Sequence, residues 1–185
     1  MMADRQRQRR FETLLRDHQR IVFKVAAAYA SGVSDRDDLA QEIAAQLWRS
    51  FGRFDERRAK FSTWMYRVAL NVAISHVRRA HRAGNGHADP LAEPHFESVP
   101  ATDGSLTDDL EHAERLAALH AFIGGLDPLN RALVLLYLEE RSHAEIAEVL
   151  GISATNVATK LNRIKQKLRA QAVAAATEEV EYGTR

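Results

Sequence analysis

The sequence predicts an all-α protein made of two small helical domains that are joined by a flexible linker. Apolar residues recur at helical spacing wherever they are periodic, and no segment alternates convincingly with the period of two that marks a strand. Residues 84 to 108 contain three glycines and three prolines without a sustained apolar period, which is typical of a linker. The predicted boundaries are a first domain at 9–82, a flexible acidic linker at 83–109 and a second domain at 110–172.

The first domain is expected to begin with a helix that covers about Arg9 to Ala30 and ends at Ser31-Gly32. The apolar residues of this helix recur at a spacing of three or four and are expected to face inward. They are Phe11, Leu14, Leu15, Val22, Val25 and Tyr29.

A second helix is expected to start at Ser34, because a serine oxygen can accept a hydrogen bond from a first-turn amide. Acidic residues are favourable in the positively polarised first turn, and three follow the serine. They are Asp35, Asp37 and Asp38. Gly52 is expected to close the helix, whose predicted inward stripe is Leu39, Ile43, Leu47 and Phe51.

The third helix is expected to start at Ser62, after a charged loop, and to run through Val68, Val72 and Val77 to about Arg82. Around it the sequence combines aromatic and basic residues with one asparagine. These are Lys60, Phe61, Trp64, Arg67, Asn71, Arg78, Arg79 and Arg82. Aromatic rings stack on unpaired bases while Lys and Arg hold the backbone, so this combination is typical of binding to single-stranded nucleic acid.

Two of these residues need separate interpretations. For Trp64 alone the favoured interpretation is a core position, because large aromatic residues at helical spacing are more often buried than free to stack on a base. Asn71 lies in the middle of a helix, where its amide needs partners. Either it bonds a neighbouring loop or it reads a base.

The outer face of the second helix carries acidic and amide groups in an otherwise basic domain. Its residues are Asp37, Asp38, Gln41 and Glu42, followed by Trp48. Such a face is either simply solvated or a docking surface for a protein partner, because DNA would not bind there.

The second domain is expected to contain a helix that starts at Asp127-Pro128, since proline is favoured at the first helical position. This helix should pack behind the next two through Leu129, Leu133, Leu136 and Tyr137. After Ala172 the sequence becomes alanine-rich and then acidic, which predicts a fraying helix end.

Residues 142 to 167 have the pattern of a helix-turn-helix. Ser142 and Glu145 form a capping box, Gly151 ends the first helix, and Ser153 can cap the second. The second helix buries a stripe at helical spacing and carries basic residues but no acid between positions 154 and 171. The buried stripe is Val157, Leu161, Ile164 and Leu168, and the basic residues are Lys160, Arg163, Lys165, Lys167 and Arg169.

The opposite face of this helix carries short or forked donors and acceptors of the kind that reach base edges in a major groove. The residues of this face are Thr155, Asn156, Thr159, Asn162 and Arg163. A helical hairpin with a solvated basic face shares much of this pattern, so the acid-free second helix and its polar face are what favour DNA binding.

Charge and composition indicate the kind of binding partner and the location of the protein. The formal net charge is only +1, but residues 1 to 83 hold 17 Lys and Arg against 9 Asp and Glu, whereas residues 84 to 118 hold 1 against 8. A basic first part favours a polyanionic partner, and an acidic connector should stay away from that partner. No stretch approaches the roughly 20 apolar residues that span a bilayer, and no signal peptide is recognisable, so we expect a cytoplasmic protein without membrane insertion.

Several kinds of chemistry are excluded or disfavoured. The absence of cysteine excludes disulfides, zinc fingers and thiol catalysis. The histidines are scattered, and the sequence has no glycine-rich phosphate loop and no nucleophile elbow. We therefore expect no metal, no cofactor and no enzymatic activity, with His143 on the surface of its helix.

Three motifs in order, with a linker between them, resemble the extracytoplasmic-function (ECF) sigma factors of the sigma-70 family. The motifs are Asp38-Leu-Ala-Gln-Glu42, Phe61-Ser-Thr-Trp-Met-Tyr-Arg-Val-Ala-Leu-Asn71 and the helix-turn-helix near the C-terminus. The resemblance covers about residues 11 to 82 and 119 to 171. It implies that the first domain is a sigma region 2 helical bundle and that the second is sigma region 4.

By this resemblance the chain binds core RNA polymerase and promoter DNA. Polymerase would contact Asp38, Gln41, Glu42 and Trp48, and the minus-10 element would contact Lys60, Phe61, Asn71, Arg78 and Arg79. The recognition helix would read the minus-35 element through Thr155, Asn156, Thr159, Lys160 and Arg163. Many family members have Arg or Lys where this chain has Ala158, so the promoter consensus cannot be transferred from a relative. An anti-sigma factor that masks these surfaces is a further implied partner.

Two other classes of protein share parts of the pattern. One is a two-domain helix-turn-helix regulator that binds duplex DNA as a dimer, whose distinguishing features would be dimerisation and a palindromic site. The other is an interaction module that a partner protein regulates.

Overall fold

A computed structural model describes the backbone of residues 2–30, 32–82 and 116–182, and the side chains of 5–30, 32–82 and 116–173. The described elements are helical, and no strand occurs among them, which confirms the all-α prediction. The predicted linker at 83–109, the start of the second domain at 110 and Ser31 lie outside the described residues. The chain divides into two compact units, Met1–Pro128 and Leu129–Arg185.

Three long helices build the first unit: α1 (Met2–Tyr29), α2 (Val33–Ser50) and α3 (Phe61–Arg82). A short 3-10 turn, Phe51–Arg53, follows α2. Each long helix packs against the other two. The fully buried side chains of this bundle are Val25, Leu39, Ile43, Leu47, Met65, Tyr66 and Leu70. A further helix, α4, has its described part at residues 116 to 124.

The second unit contains α5 (Pro128–Leu138), which begins at the last residue of the first unit, α6 (His143–Leu150) and α7 (Ala154–Tyr182). Its core is an aliphatic cluster to which all three helices contribute. The members with almost no exposure are Leu133, Leu136, Ile146 and Val157, and Leu161 and Ile164 of α7 are also buried. The prediction that α5 starts at Pro128 and supplies Leu133 and Leu136 to the core is confirmed.

The starts of α2 and α3 differ from the predictions. Ser34 does not cap α2, because Gly32 takes that position with a φ of 84° and its carbonyl accepts the first hydrogen bond from Arg36 N at 3.2 Å. Glycine adopts this backbone conformation at little cost, which lets α2 start before the serine. Ser62 does not start α3 either, because the Lys60 carbonyl already accepts from Trp64 N at 3.1 Å.

Two helices are longer than predicted. α1 starts at Met2 instead of Arg9, and the helical backbone of α7 continues past Ala172 to Tyr182. Alanine, arginine and glutamine, which are abundant in these extensions, have high helix propensity.

Several apolar side chains are less buried than predicted. Leu168, the last residue of the predicted buried stripe of α7, is half-buried. Leu14 and Leu15 of α1 are also half-buried. Tyr137 is exposed over 39% of its surface, and its hydroxyl oxygen lies 2.8 Å from Lys165 Nζ. None of the helices in the described part of the chain has the length and apolarity to cross a membrane.

The turn between α6 and α7 gives a stability prediction. Gly151 has a φ of 69°, and an added Cβ would meet nothing within 4 Å, so Gly151→Ala is disfavoured by backbone strain alone. We expect a loss of about 1 to 2 kcal/mol in the free energy of unfolding of the second unit. Both tryptophans, Trp48 and Trp64, are in the first unit. Urea unfolding followed by circular dichroism should therefore shift, whereas unfolding followed by tryptophan fluorescence should not.

The control is Gly125→Ala, where the added Cβ would make only ordinary contacts at 3.6 Å. Equal stability of Gly151→Ala and the unmodified protein would contradict the strain argument.

Candidate functional site

The helix-turn-helix is fixed by three local contacts, all of which the sequence predicts. Ser142 Oγ accepts from Glu145 N at 3.2 Å, while the Glu145 carboxylate accepts from Ser142 N at 3.0 Å. Gly151 turns the chain in the left-handed conformation, and Ser153 Oγ accepts from Asn156 N at 3.1 Å. The angle between α6 and α7 therefore rests on satisfied helix ends and on the buried Val149 and Val157.

The outward face of α7 carries the predicted DNA contacts. Thr155, Asn156, Thr159 and Arg163 are exposed, Asn162 is exposed beside them, and Lys160 is half-buried. The Thr159 hydroxyl donates to the Thr155 carbonyl at 2.9 Å. Since that proton is engaged, Thr159 presents a methyl group and acceptor lone pairs to the outside, which fits a thymine methyl or an amino group on a base edge.

Lys165 differs from the other basic residues of α7. Its ammonium group lies 4.0 Å from the centroid of the Tyr137 ring and also contacts the Tyr137 hydroxyl. This cation–π contact joins α7 to α5. The exposed basic groups further along the helix are Lys167 and Arg169, and His143 is exposed on α6, as predicted.

A second candidate interface runs along α3. Asn71 and Arg78 are exposed, and Lys60 is exposed directly before the helix. At about 100° per residue, positions 60, 64, 67, 71 and 78 fall within an arc of about 60°. The predicted minus-10 residues Lys60, Asn71 and Arg78 therefore share one face with Trp64 and Arg67. Because Asn71 points to solvent, its amide is available to a ligand.

Phe61 does not belong to that exposed face. Only 7% of its surface is exposed. Its ring lies 5.3 Å from that of Phe54 and 5.4 Å from those of Trp64 and His18. Phe61 therefore packs within the protein and can support the face only from behind. Trp64, which was expected in the core, is half-buried at the edge of the same cluster.

Several aromatic side chains of the first unit form one cluster, which was not predicted from the sequence. Phe51 lies at its centre and contacts the rings of Phe11, Phe54, Phe61 and Trp64 at 5.1 to 6.4 Å. The spacing of the aromatics at 51, 54, 61 and 64 was visible in the sequence, but it spans a helix end, a loop and a helix start, so no single periodicity marks it.

The loop before α3 is ordered by Asp55. Its carboxylate accepts from Arg57 N at 3.0 Å and from Arg57 Nε and Nη2 at 3.1 Å, and Arg58 N donates to the Asp55 carbonyl at 3.0 Å. The hydrogen bonds from the Arg57 side chain and backbone hold the pKa of Asp55 below its ordinary value, against a small opposing effect of burial. Asp55 is therefore charged at neutral pH and keeps Arg57 in place.

The acidic face of α2 is only partly open to a partner. Asp38 and Gln41 are exposed, and Trp48 is exposed over 39% of its surface. Both carboxylate oxygens of Glu42 instead accept from Arg79 Nη2 at 2.7 Å. His76 Nε2 also lies 3.1 Å from Asp35 Oδ1, so α3 covers one side of this face.

The Glu42–Arg79 pair joins residues that were predicted to bind different partners. Arg78 points with Asn71 along the basic face, whereas Arg79 is turned by one position towards α2. The two arginine side chains thus point in different directions. Among the described residues, no group of three or more His, Asp or Glu side chains is arranged to hold a metal ion.

Comparisons with known proteins match both parts of the chain to one family. The model for sigma-70 region 2 matches residues 14–83, and the model for sigma-70 region 4 matches residues 116–168. The ECF RNA polymerase sigma factor SigE of Mycolicibacterium smegmatis is 30% identical over 86% of this chain, which spans 60% of the length of that relative. The ECF RNA polymerase sigma factor SigW of Bacillus subtilis is 27% identical over 81% of this chain and 82% of its own.

Solved structures show similar folds. CnrH in complex with the cytosolic domain of CnrY aligns over 90% of both chains with 26% identity and a TM-score of 0.59. The sigma factor RpoE from Bartonella quintana, in complex with the anti-sigma factor NepR, aligns over 86% of this chain and 94% of its own. Its TM-score is 0.63 at 18% identity, so this second likeness concerns the fold alone.

Proposed function

Because the chain belongs to the extracytoplasmic-function sigma factors of the sigma-70 family, we propose that it binds core RNA polymerase, recognises the minus-35 and minus-10 promoter elements and helps to melt the promoter. One observation carries the proposal: a single chain holds two nucleic-acid faces of different kinds. The acid-free recognition helix α7 suits duplex DNA, and the α3 face of Lys60, Arg67 and Asn71 beside Trp64 suits an unpaired strand.

The two faces fall into the two predicted domains. We assign residues 9–82 to region 2, residues 83–109 to a flexible acidic connection and residues 110–172 to region 4. In region 4, Thr155, Asn156, Thr159, Lys160 and Arg163 read the minus-35 element. In region 2, Lys60, Asn71 and Arg78 contact the minus-10 element, with Phe61 supporting them from inside the aromatic cluster.

Polymerase binding is assigned to the outer face of α2. Asp38, Gln41 and Trp48 present carboxylate, amide and indole groups to solvent, which suits a basic and apolar protein partner better than DNA. Glu42 takes part after exchanging Arg79 for a partner group, since an exposed ion pair is readily replaced. CnrH, which is 26% identical to this chain, was solved in complex with the cytosolic domain of CnrY. This supports the proposal that a regulatory protein, an anti-sigma factor, also binds this chain.

The mechanism needs no catalysis by this chain, which we infer is not an enzyme and acts in the cytoplasm beside polymerase. Contacts that form only with unpaired bases offset the few kcal/mol that unpairing and unstacking cost. Binding energy thereby favours the open promoter, while polymerase forms the phosphodiester bonds.

The test of the function is transcription of fragmented genomic DNA by bacterial core polymerase with and without the full chain, followed by sequencing of transcript 5′ ends. New starts that share two spaced upstream elements are the expected result, and they provide the promoter sequence for further work. If polymerase is active and compatible but no new starts appear, while the chain binds duplex DNA as a dimer at a palindrome, the regulator alternative replaces this proposal.

Asn71→Ala should impair strand opening more than duplex binding. The exposed Asn71 amide is assigned to an unpaired base, so its loss should lower promoter opening by about 2- to 10-fold, the effect of one hydrogen bond. Permanganate reactivity of unpaired thymines measures opening, and a gel-shift assay measures binding. Ser75→Ala, one turn further along α3 and also exposed, is the control. An equal loss in both assays would remove Asn71 from base recognition.

Arg163→Ala tests the recognition helix. If Arg163 contacts a base, its loss should weaken duplex promoter binding by about 1 to 3 kcal/mol and relax the preference at one minus-35 position. Lys167→Ala removes an exposed charge one turn later and serves as the comparison for a phosphate contact. Uniform weakening across all sequences by Arg163→Ala, as expected for Lys167→Ala, would show that Arg163 contacts phosphate only.

A further inference from the structure

The beginning of α1 lies ahead of residues 14–83, which match region 2, yet some of its side chains pack on the end of α2 and on the loop before α3. Arg7, Arg10 and Phe11 are spaced by three and four residues and therefore share one face of α1. Phe11 anchors this face, because it is only 6% exposed and its ring lies 5.2 Å from Trp48 and 5.1 Å from Phe51.

Arg7 extends the same face along the end of α2. Its guanidinium carbon lies 5.3 Å from the centroid of the Trp48 ring, in cation–π contact. A Cβ added at Gly52 would lie 3.1 Å from Arg7 Nη2, so a larger residue at that position would crowd the guanidinium. Arg7 thus fits closely between an indole ring and a glycine.

Arg10 contacts the loop that precedes α3. Its Nη2 forms an ion pair with Glu56 Oε1, which joins residues 46 positions apart in the sequence. Glu56 lies in the segment that leads from Phe54 to Lys60. Phe54 fixes the start of this segment in the aromatic cluster, and Lys60 fixes its end at the start of α3. The Arg10–Glu56 pair therefore holds the middle of a segment whose two ends are already anchored.

Because the loop carries several charges, the Arg10–Glu56 pair also determines where Glu56 points. Asp55 is engaged by Arg57, so Glu56 is the second acidic group beside Arg57, Arg58 and Lys60. Without Arg10, Glu56 would be drawn to these neighbouring cations and would move them away from a DNA backbone. Arg10 thus directs Glu56 to the side of the loop that faces α1.

We propose that Arg10, on the Arg7–Arg10–Phe11 face of α1, is a positioning residue for minus-10 recognition, and that it acts by holding Glu56 and with it the loop from Phe54 to Lys60. This inference rests on the proposed function of the loop and of α3. Arg10 does not itself contact DNA. Because an exposed ion pair contributes little to stability, the contact affects the placement of the loop more than the folding of the unit.

The test uses holoenzyme made with the full chain and fragmented genomic DNA. Arg10→Gln and Glu56→Gln should each lower promoter opening by about 2- to 5-fold and weaken the base preference at the minus-10 element. The minus-35 preference, read from the same transcripts, should not change. Arg9→Gln removes an equal charge one residue away and should behave like the unmodified chain. Thermal unfolding of all variants should also remain unchanged.

Charge reversal separates positioning from simple charge effects. The Arg10→Glu/Glu56→Arg double variant should restore both opening and minus-10 preference beyond the level of Glu56→Arg alone. The proposal is overturned if the single variants open the promoter as well as the unmodified chain does, or if Glu56→Gln increases opening. It is also overturned if the double variant shows no more opening and no stronger minus-10 preference than Glu56→Arg alone. Equal loss of minus-10 and minus-35 preference would also overturn it. Failure of the proposed function is distinct, because the unmodified chain would then produce no new starts.

Discussion

Burial of Phe51 is the constraint on which the rest of the first unit depends. Its ring lies in the short turn after α2 and meets Phe11 of α1, Phe54 of the loop, and Phe61 and Trp64 of α3. One side chain thus joins every element that forms the candidate promoter-opening surface. Each aromatic pair contributes about 0.5 to 1.5 kcal/mol beyond its buried area, and the geometry of the pairs restricts the angle at which α3 leaves the loop.

The aromatic cluster around Phe51 sets the rotation of α3 about its axis. This rotation determines which residues of α3 face outward. Turning Phe61, Met65 and Tyr66 inward places Asn71 and Arg78 outward and directs Arg79 towards Glu42. The basic face and the acidic face are therefore adjacent and joined by one ion pair. A partner that binds Glu42 would change the surroundings of Arg79, so the proposed polymerase and promoter surfaces are physically coupled through this pair. The pair is exposed, so this coupling is small in free energy.

The sequence predicted the helix-turn-helix of the second unit well because its signals are local. Ser142, Glu145, Gly151 and Ser153 act on groups within four residues, and the structure has each in its expected role. The first unit was predicted less well, because its boundaries depend on contacts between distant residues. Phe61 was expected at a base but is buried by Phe51 and Phe54. Ser34 and Ser62 do not start their helices, because the carbonyls of Gly32 and Lys60 already accept the first helical hydrogen bonds of α2 and α3. The extension of α1 was missed for a different reason, because the residues before Arg9 have high helix propensity but no apolar stripe.

This difference between the units fits what each has to do. A DNA duplex presents a regular groove, so one capped helix can have its binding surface formed before it meets DNA. Substitutions on the surface of α7 can then change the base preference without disturbing the core. Unpaired bases have no fixed geometry, and contacts with them must offset the cost of opening. A mobile loop would lose part of that binding energy to its own ordering. Long-range support from α1 and the aromatic cluster is therefore expected where strands are opened, and it also explains why that surface is harder to recognise from sequence.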